Sequence, residues 1–166
     1  MSDIEPKHAR DGVAVEPAPT TVARRDPPAK LPAMRSLRRP AFWLAAWAAM
    51  IAAVAAGSLL PAGELPPVPF SGFDKVQHLL GYFVLSAYAV MLFARMRTQA
   101  LCAAGLVALG IGLEIAQAAL TVSREADPGD ALFNAMGVLA GLAIAATPLA
   151  TLLQRLDARW RQGTAA

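Results

Sequence analysis

The run from Leu101 to Val122, LCAAGLVALGIGLEIAQAALTV, is long enough to cross a bilayer and holds one ionisable residue, Glu114. A hydrocarbon core of about 30 Å takes about 20 helical residues. Lipid offers the backbone no hydrogen-bond partners, so a spanning segment is a helix or part of a closed barrel. Strand-like alternation is absent here, and the run reads as a helix. A carboxylate at that depth costs roughly 2.5–3.5 kcal/mol on insertion scales, so Glu114 must face protein or water. Gln117 lies one turn further on and shares its face.

Three more apolar runs follow the same logic: Ala41 to Leu60, Leu79 to Ala94 and Ala131 to Leu153. Adding Asp74 to His78 as a first turn brings the second to spanning length. Pro148 should bend or end the last helix. The chain is 56% hydrophobic and 16% charged, against about 45–50% and about 25% for soluble domains. Residues 1–39 carry Pro17, Pro19, Pro27, Pro28 and Pro32 with no apolar period, the composition of a disordered tail. A start at Met34 would remove only that tail. The apolar run after Arg39 exceeds the 7–15 residues of a signal-peptide core and reads as an uncleaved anchor. Residues 40–154 then form the membrane domain, and residues 155–166 a short basic tail. Cys102 is the only cysteine, so no intrachain disulfide forms.

The basic residues orient the chain. Of the 15 Lys and Arg, eight precede the first run, Arg95 and Arg97 lie between the second and third, and Arg155, Arg159 and Arg161 follow the fourth. In a four-span chain these segments share one side, which the positive-inside rule makes cytoplasmic. The other side has Lys75 and Arg124 against Glu64, Asp74, Glu125, Asp127 and Asp130. The pI near 9.5 is then a matter of topology and of anionic lipid headgroups. No nucleic-acid partner is needed. The expected fold is all-α: four transmembrane helices in a single bundle, with both termini cytoplasmic.

With that topology the unusual polar residues gather in the outer half. Asp74, Lys75 and His78 begin the second span, and Tyr82 continues the His78 face one turn deeper. Glu114 sits roughly 12 Å below the outer surface at 1.5 Å per residue, with Gln117 nearer to it. Arg124 follows in the loop, Asp130 begins the fourth span as a candidate helix cap, and Asn134 is one turn inside. Gly137 and Gly141 make a G-x-x-x-G spacing that lets another helix approach closely. Trp43, Trp47 and Trp160 are expected as anchors near the cytoplasmic interface.

In these residues the chain resembles the VanZ-like membrane proteins. The likeness consists of Asp74-Lys75-x-x-His78 at the head of one span and Glu114-x-x-Gln117 in the next, then Arg124, Asp130, Asn134, Gly137 and Gly141. It covers about residues 40–150 and departs from the usual pattern at Pro128-Gly129, where hydrophobic residues are common. The resemblance implies a four-helix protein of a bacterial inner membrane, in a family whose namesake is associated with lowered susceptibility to the glycopeptide teicoplanin. It implies no particular reaction.

Each polar residue has a structural reading beside a functional one. Glu114 is interhelical glue, bonded to His78, Lys75 or Arg124, or part of a ligand or substrate pocket, or a group that transfers protons. Arg124 is either paired with Asp127 or Asp130 or a clamp for a carboxylate or phosphate; Lys75 either assists that clamp or snorkels to the headgroups. His78, Glu114 and Asp130 offer mixed N/O donors of the zinc type, but no spacing such as H-E-x-x-H accompanies them. Hydrogen bonding is the expected role of His78, and no metal or cofactor is expected. The leading expectation is an outward-facing polar pocket that binds an envelope lipid, cell-wall precursor or glycopeptide-like antibiotic. The alternatives are a membrane-embedded hydrolase or transferase, and a scaffold whose polar residues only hold helices together.

Overall fold

The computed structural model describes residues 33–60, 69–120 and 127–160. Arg124 and residues 1–32, most of the expected tail, lie outside the described residues. All four apolar runs are helices: α1 (Pro40–Leu59), α2 (Phe73–Leu92), α3 (Met96–Leu120) and α4 (Pro128–Ala143). Each is long and apolar enough to cross a membrane, counting the 3-10 turn Ile144–Ala146 with α4. Regular helix gives way at Thr147, which is extended, just ahead of Pro148. A second 3-10 turn, Pro148–Thr151, leads into α5 (Leu152–Arg159).

The buried residues of α3 recur as Gln99, Ala103, Leu106, Gly110, Leu113 and Gln117, with Glu114 beside the stripe. Steps of three and four keep one face of a helix against its neighbours. The opposite faces are apolar too, and Leu101, Ile115 and Leu139 are each about two-thirds exposed. Such surfaces suit hydrocarbon rather than water. α1 is apolar all round and contributes no buried residue. It leans its Trp47, Met50, Ile51 and Val54 on a core of Tyr82, Leu85, Ala103, Leu106 and Val138.

The most extensive helix contact is α2 with α4, and the two glycines explain it. A Cβ on Gly137 would run into the backbone carbonyl of Leu79 and meet Phe83 N at 3.0 Å. One on Gly141 would meet Phe83 O at 2.6 Å and Ser86 Cβ at 2.7 Å. With both side chains absent, the backbones touch, and Ser86 Oγ donates to Val138 O at 2.8 Å.

The basic end is more ordered than the sequence reading anticipated. Residues 33–39, counted there with the tail, pair with the α2–α3 junction: Arg35 N donates to Leu92 O at 2.8 Å and Ala94 N to Ala33 O at 2.9 Å. Part of the expected C-terminal tail is the helix α5, and Asp157 on it is 4% exposed. Its carboxylate accepts the Trp43 indole N–H at 2.9 Å and the backbone N–H of Arg38. Trp43 and Trp160 stack edge to face at 6.1 Å, and the Arg39 guanidinium lies 5.1 Å from the Trp160 ring.

Two outcomes follow from these contacts. Gly137→Ala should cost about 1–3 kcal/mol in thermal unfolding followed by helicity in detergent. Gly105→Ala, whose Cβ meets nothing within 4 Å, should cost nothing; equal melting of the two variants would refute the close-contact role. At Asp157, burial pushes the carboxyl up, but the Trp43 bond and the N–H groups of Arg38 and Arg39 outweigh it and hold the carboxyl below the usual range. A carboxyl depressed in the folded state stabilises above its unfolded pKa of about 3.9, and that stability is lost as pH falls through the lower folded value. Asp157→Asn should therefore melt lower at neutral pH and lose less than wild type on acidification. Parallel acid losses in the two proteins would eliminate this contribution.

Candidate functional site

At the end opposite the basic cluster, the first turns of α2 and α4 lie beside the last turns of α1 and α3. Gly72, with φ of 84°, precedes α2 in the left-handed region and turns the chain into that helix. α4 starts at Pro128, where the missing N–H costs nothing. Its cap is Asp127, which accepts Gly129 N at 2.7 Å. The sequence reading gave that role to Asp130; the structure puts Asp130 two residues inside the helix, with its carboxylate free to reach α2. Gly129 keeps the corner open, since a Cβ there would meet Asp127 Oδ1 at 2.9 Å and Lys75 Nζ at 3.1 Å.

Lys75 reaches across from α2 to that corner. Its ammonium lies 2.5 Å from Asp127 Oδ2 and 3.0 Å from Asp130 Oδ1. The bond from Lys75, with that from Gly129 N–H, holds the Asp127 carboxyl below the usual carboxylate range. Lys75 is thus already engaged by two anions and is poorly placed as a clamp on a phosphate. Asp74 is more remote, its carboxylate 4.0 Å from the same ammonium.

One turn deeper, His78 Nδ1 lies 3.0 Å from Asn134 Oδ1, and His78 Nε2 lies 3.5 Å from Asp130 Oδ2. From α3, Glu114 completes a group: one donor atom each from His78, Glu114 and Asp130 lie within 4.8 Å of one another. Glu114 is 6% exposed. The Asp127 backbone N–H approaches its carboxylate, but Oε2 has no hydrogen-bond partner among the described residues. The hydroxyl of Tyr82, 1% exposed, is also unpartnered. It and the Asn134 amide lie against Gly110, where a Cβ would meet them at 3.2 and 3.0 Å. Gln117 instead turns to α1, donating from Nε2 to Ser58 O at 2.5 Å.

Of these residues, Asp74, His78, Tyr82, Gln117, Asp127 and Asp130 line a cavity of about 500 Å³, within the size range of small-molecule sites. Ala53 and Val54 of α1 line it as well. The polar residues singled out in the sequence therefore come together, Arg124 lying outside the described residues. Gln77 and Ser58 also line the cavity and escaped the sequence reading. Gln77 shares its helix turn with Asp74, Lys75 and His78, which was the available signal; nothing local marked Ser58.

Chemically, the arrangement offers hydrogen-bond acceptors, two unpartnered buried polar atoms and an imidazole between carboxylates, next to an apolar wall. Comparison of the chain with protein-family models, with curated proteins and with solved structures finds no match.

Proposed function

We propose that this is a multi-pass protein of the bacterial inner membrane, a single four-helix bundle of the VanZ-like type with both termini cytoplasmic. Its outward-facing cavity binds an amphiphile of the envelope: a lipid, a lipid-linked cell-wall precursor or a glycopeptide-like antibiotic. Binding there would alter envelope susceptibility. The observation that carries this reading is the mixed lining of the cavity, in which Asp74, His78 and Asp130 of α2 and α4 meet Ala53 and Val54 of α1. A headgroup meets the carboxylates and imidazole, while an attached chain lies against Ala53 and Val54. Unpartnered buried polar atoms at Glu114 and Tyr82 support it, because an orphaned polar group costs about 1–3 kcal/mol unless a ligand or water satisfies it.

The orientation rests on the charge asymmetry. Arg35, Arg38, Arg39, Arg95, Arg97, Arg155 and Arg159 collect at the end away from the cavity. A second reading, hydrolysis or group transfer on the same lipid, draws on the convergence of His78, Glu114 and Asp130, since an imidazole among carboxylates is a common acid–base set.

The test is what copurifies. Mass spectrometry of lipid extracts should find a species retained by wild type and lost from Glu114→Gln and His78→Ala proteins that still melt cooperatively. Identical lipid content in all three would sink the binding reading, and turnover of a labelled precursor by wild type alone would favour the enzyme. A periplasm-active reporter fused after Gly163 should be silent; activity there would reverse the orientation.

A further inference from the structure

The imidazole of His78 is set for a ligand that none of the described residues supplies. An amide oxygen only accepts, so at 3.0 Å from Asn134 Oδ1 the His78 Nδ1 carries the hydrogen and donates. In the neutral ring the remaining nitrogen, Nε2, presents a lone pair, and at 3.5 Å it faces Asp130 Oδ2. In that form of the ring two acceptors face each other across the gap, whereas a protonated ring would make an ion pair there. Asp130 is oriented in the same sense, because Lys75 holds Oδ1 at 3.0 Å and leaves Oδ2 to face the ring. Glu114 brings a third Lewis base to the same point, within 4.8 Å of the other two.

The second indication is independent of this convergence. Glu114 is 6% exposed, and its Oε2 has no hydrogen-bond partner among the described residues. A carboxylate oxygen buried beside another carboxylate and left without a donor is costly unless a proton or a cation satisfies it. The ammonium of Lys75 is taken up by Asp127 and Asp130, with Asp74 at 4.0 Å, and Glu114 is not among its ion-pair partners. We propose that His78 Nε2, an Asp130 oxygen and a Glu114 oxygen bind a divalent cation of the Zn²⁺ or Mn²⁺ class.

The donor set selects the ion. Imidazole suits zinc and its neighbours, whereas Mg²⁺ prefers oxygen ligands and keeps its waters. With metal–ligand bonds of about 2.0–2.1 Å, two ligands of a tetrahedral ion lie about 3.3 Å apart, close to the 3.5 Å between His78 Nε2 and Asp130 Oδ2. Asn134 on the imidazole and Lys75 on the carboxylate are the outer contacts that fix ligand orientation in metal sites. The three ligands come from α2, α3 and α4, so the ion also ties these helices together. Because His78 and Asp130 line the cavity, its remaining position opens there to water or to a ligand oxygen. This last point rests on the lipid-binding reading: the ion would let an acidic cavity accept a phosphate-bearing headgroup.

The decisive experiment uses full-length, untagged protein in detergent, stripped with a chelator and dialysed against Zn²⁺ or Mn²⁺ alone. Elemental analysis should give about one ion per chain for wild type and for Cys102→Ser, which removes the only thiol. Glu114→Gln, Asp130→Asn and His78→Ala should each bind at least about 100-fold more weakly, beyond the 10–100-fold cost of losing an outer contact. Unchanged binding in these variants, or none in wild type, overturns the site. X-ray absorption of the zinc-loaded wild type settles the matter should a variant fail to fold: N/O ligands including one imidazole are expected, and sulfur or no imidazole refutes it. The lipid arm is scored separately. Loss of a phosphate lipid on stripping and its return with metal supports the headgroup role, and retention without metal refutes that role alone. A protein that binds lipid but no ion keeps the pocket and loses the proposal.

Discussion

The contact of α2 with α4, backbone against backbone at Gly137 and Gly141, sets the register on which the polar end depends. A hydrogen bond between membrane helices averages only about 0.6 kcal/mol, so the bonds of His78, Lys75 and Ser86 would not draw two helices together unaided. Close packing of small residues can. Once Gly137 lies on the Leu79 carbonyl, Asn134 one turn above falls opposite His78, and Asp130 another turn above falls opposite Lys75. The glycines thus act as spacers, and the polar pairs confirm a register that packing has already chosen.

The molecule is turned inside out relative to a soluble domain. Among the described residues, Ser86, Gln99, Glu114, Gln117, Asn134 and Asp157 are buried while Leu80, Leu101, Ile115 and Leu139 are exposed. The polar groups sort toward two ends. One joins Asp157 to Trp43 and the backbone of Arg38. The other holds the cavity, where Glu114 and Tyr82 each keep an atom unpaired. At the first, the Asp157 carboxylate is met by its own partners; the second borders a cavity open to something else.

The helices were plain in the sequence because hydrocarbon permits few solutions: an uncharged run of about 20 residues is enough. The site was legible for a related reason, since charge is scarce there and Glu114, His78 and Asp130 stand out. The misread residues depend on distant partners. Asp157 looked like part of a basic tail because Trp43 lies 114 residues away. Asp130 looked like the cap of α4 because it begins the apolar run, yet Pro128 at the first helical position hands that role to Asp127. Lys75 looked available to a ligand until the fold brought Asp127 and Asp130 to it.

All three tryptophans lie in the first half of α1 or at the end of α5, and none lines the cavity. Trp47 donates to Leu85 O at 3.0 Å, and Trp43 and Trp160 stack on each other. The indoles are therefore graded in their distance from the cavity. Trp47 lies less than two helical turns before Ala53 of the cavity wall and leans on the same core as Tyr82, whereas Trp43 and Trp160 belong to the basic end. The protein thus carries one indole placed to sense filling of the cavity and two that report on the far end.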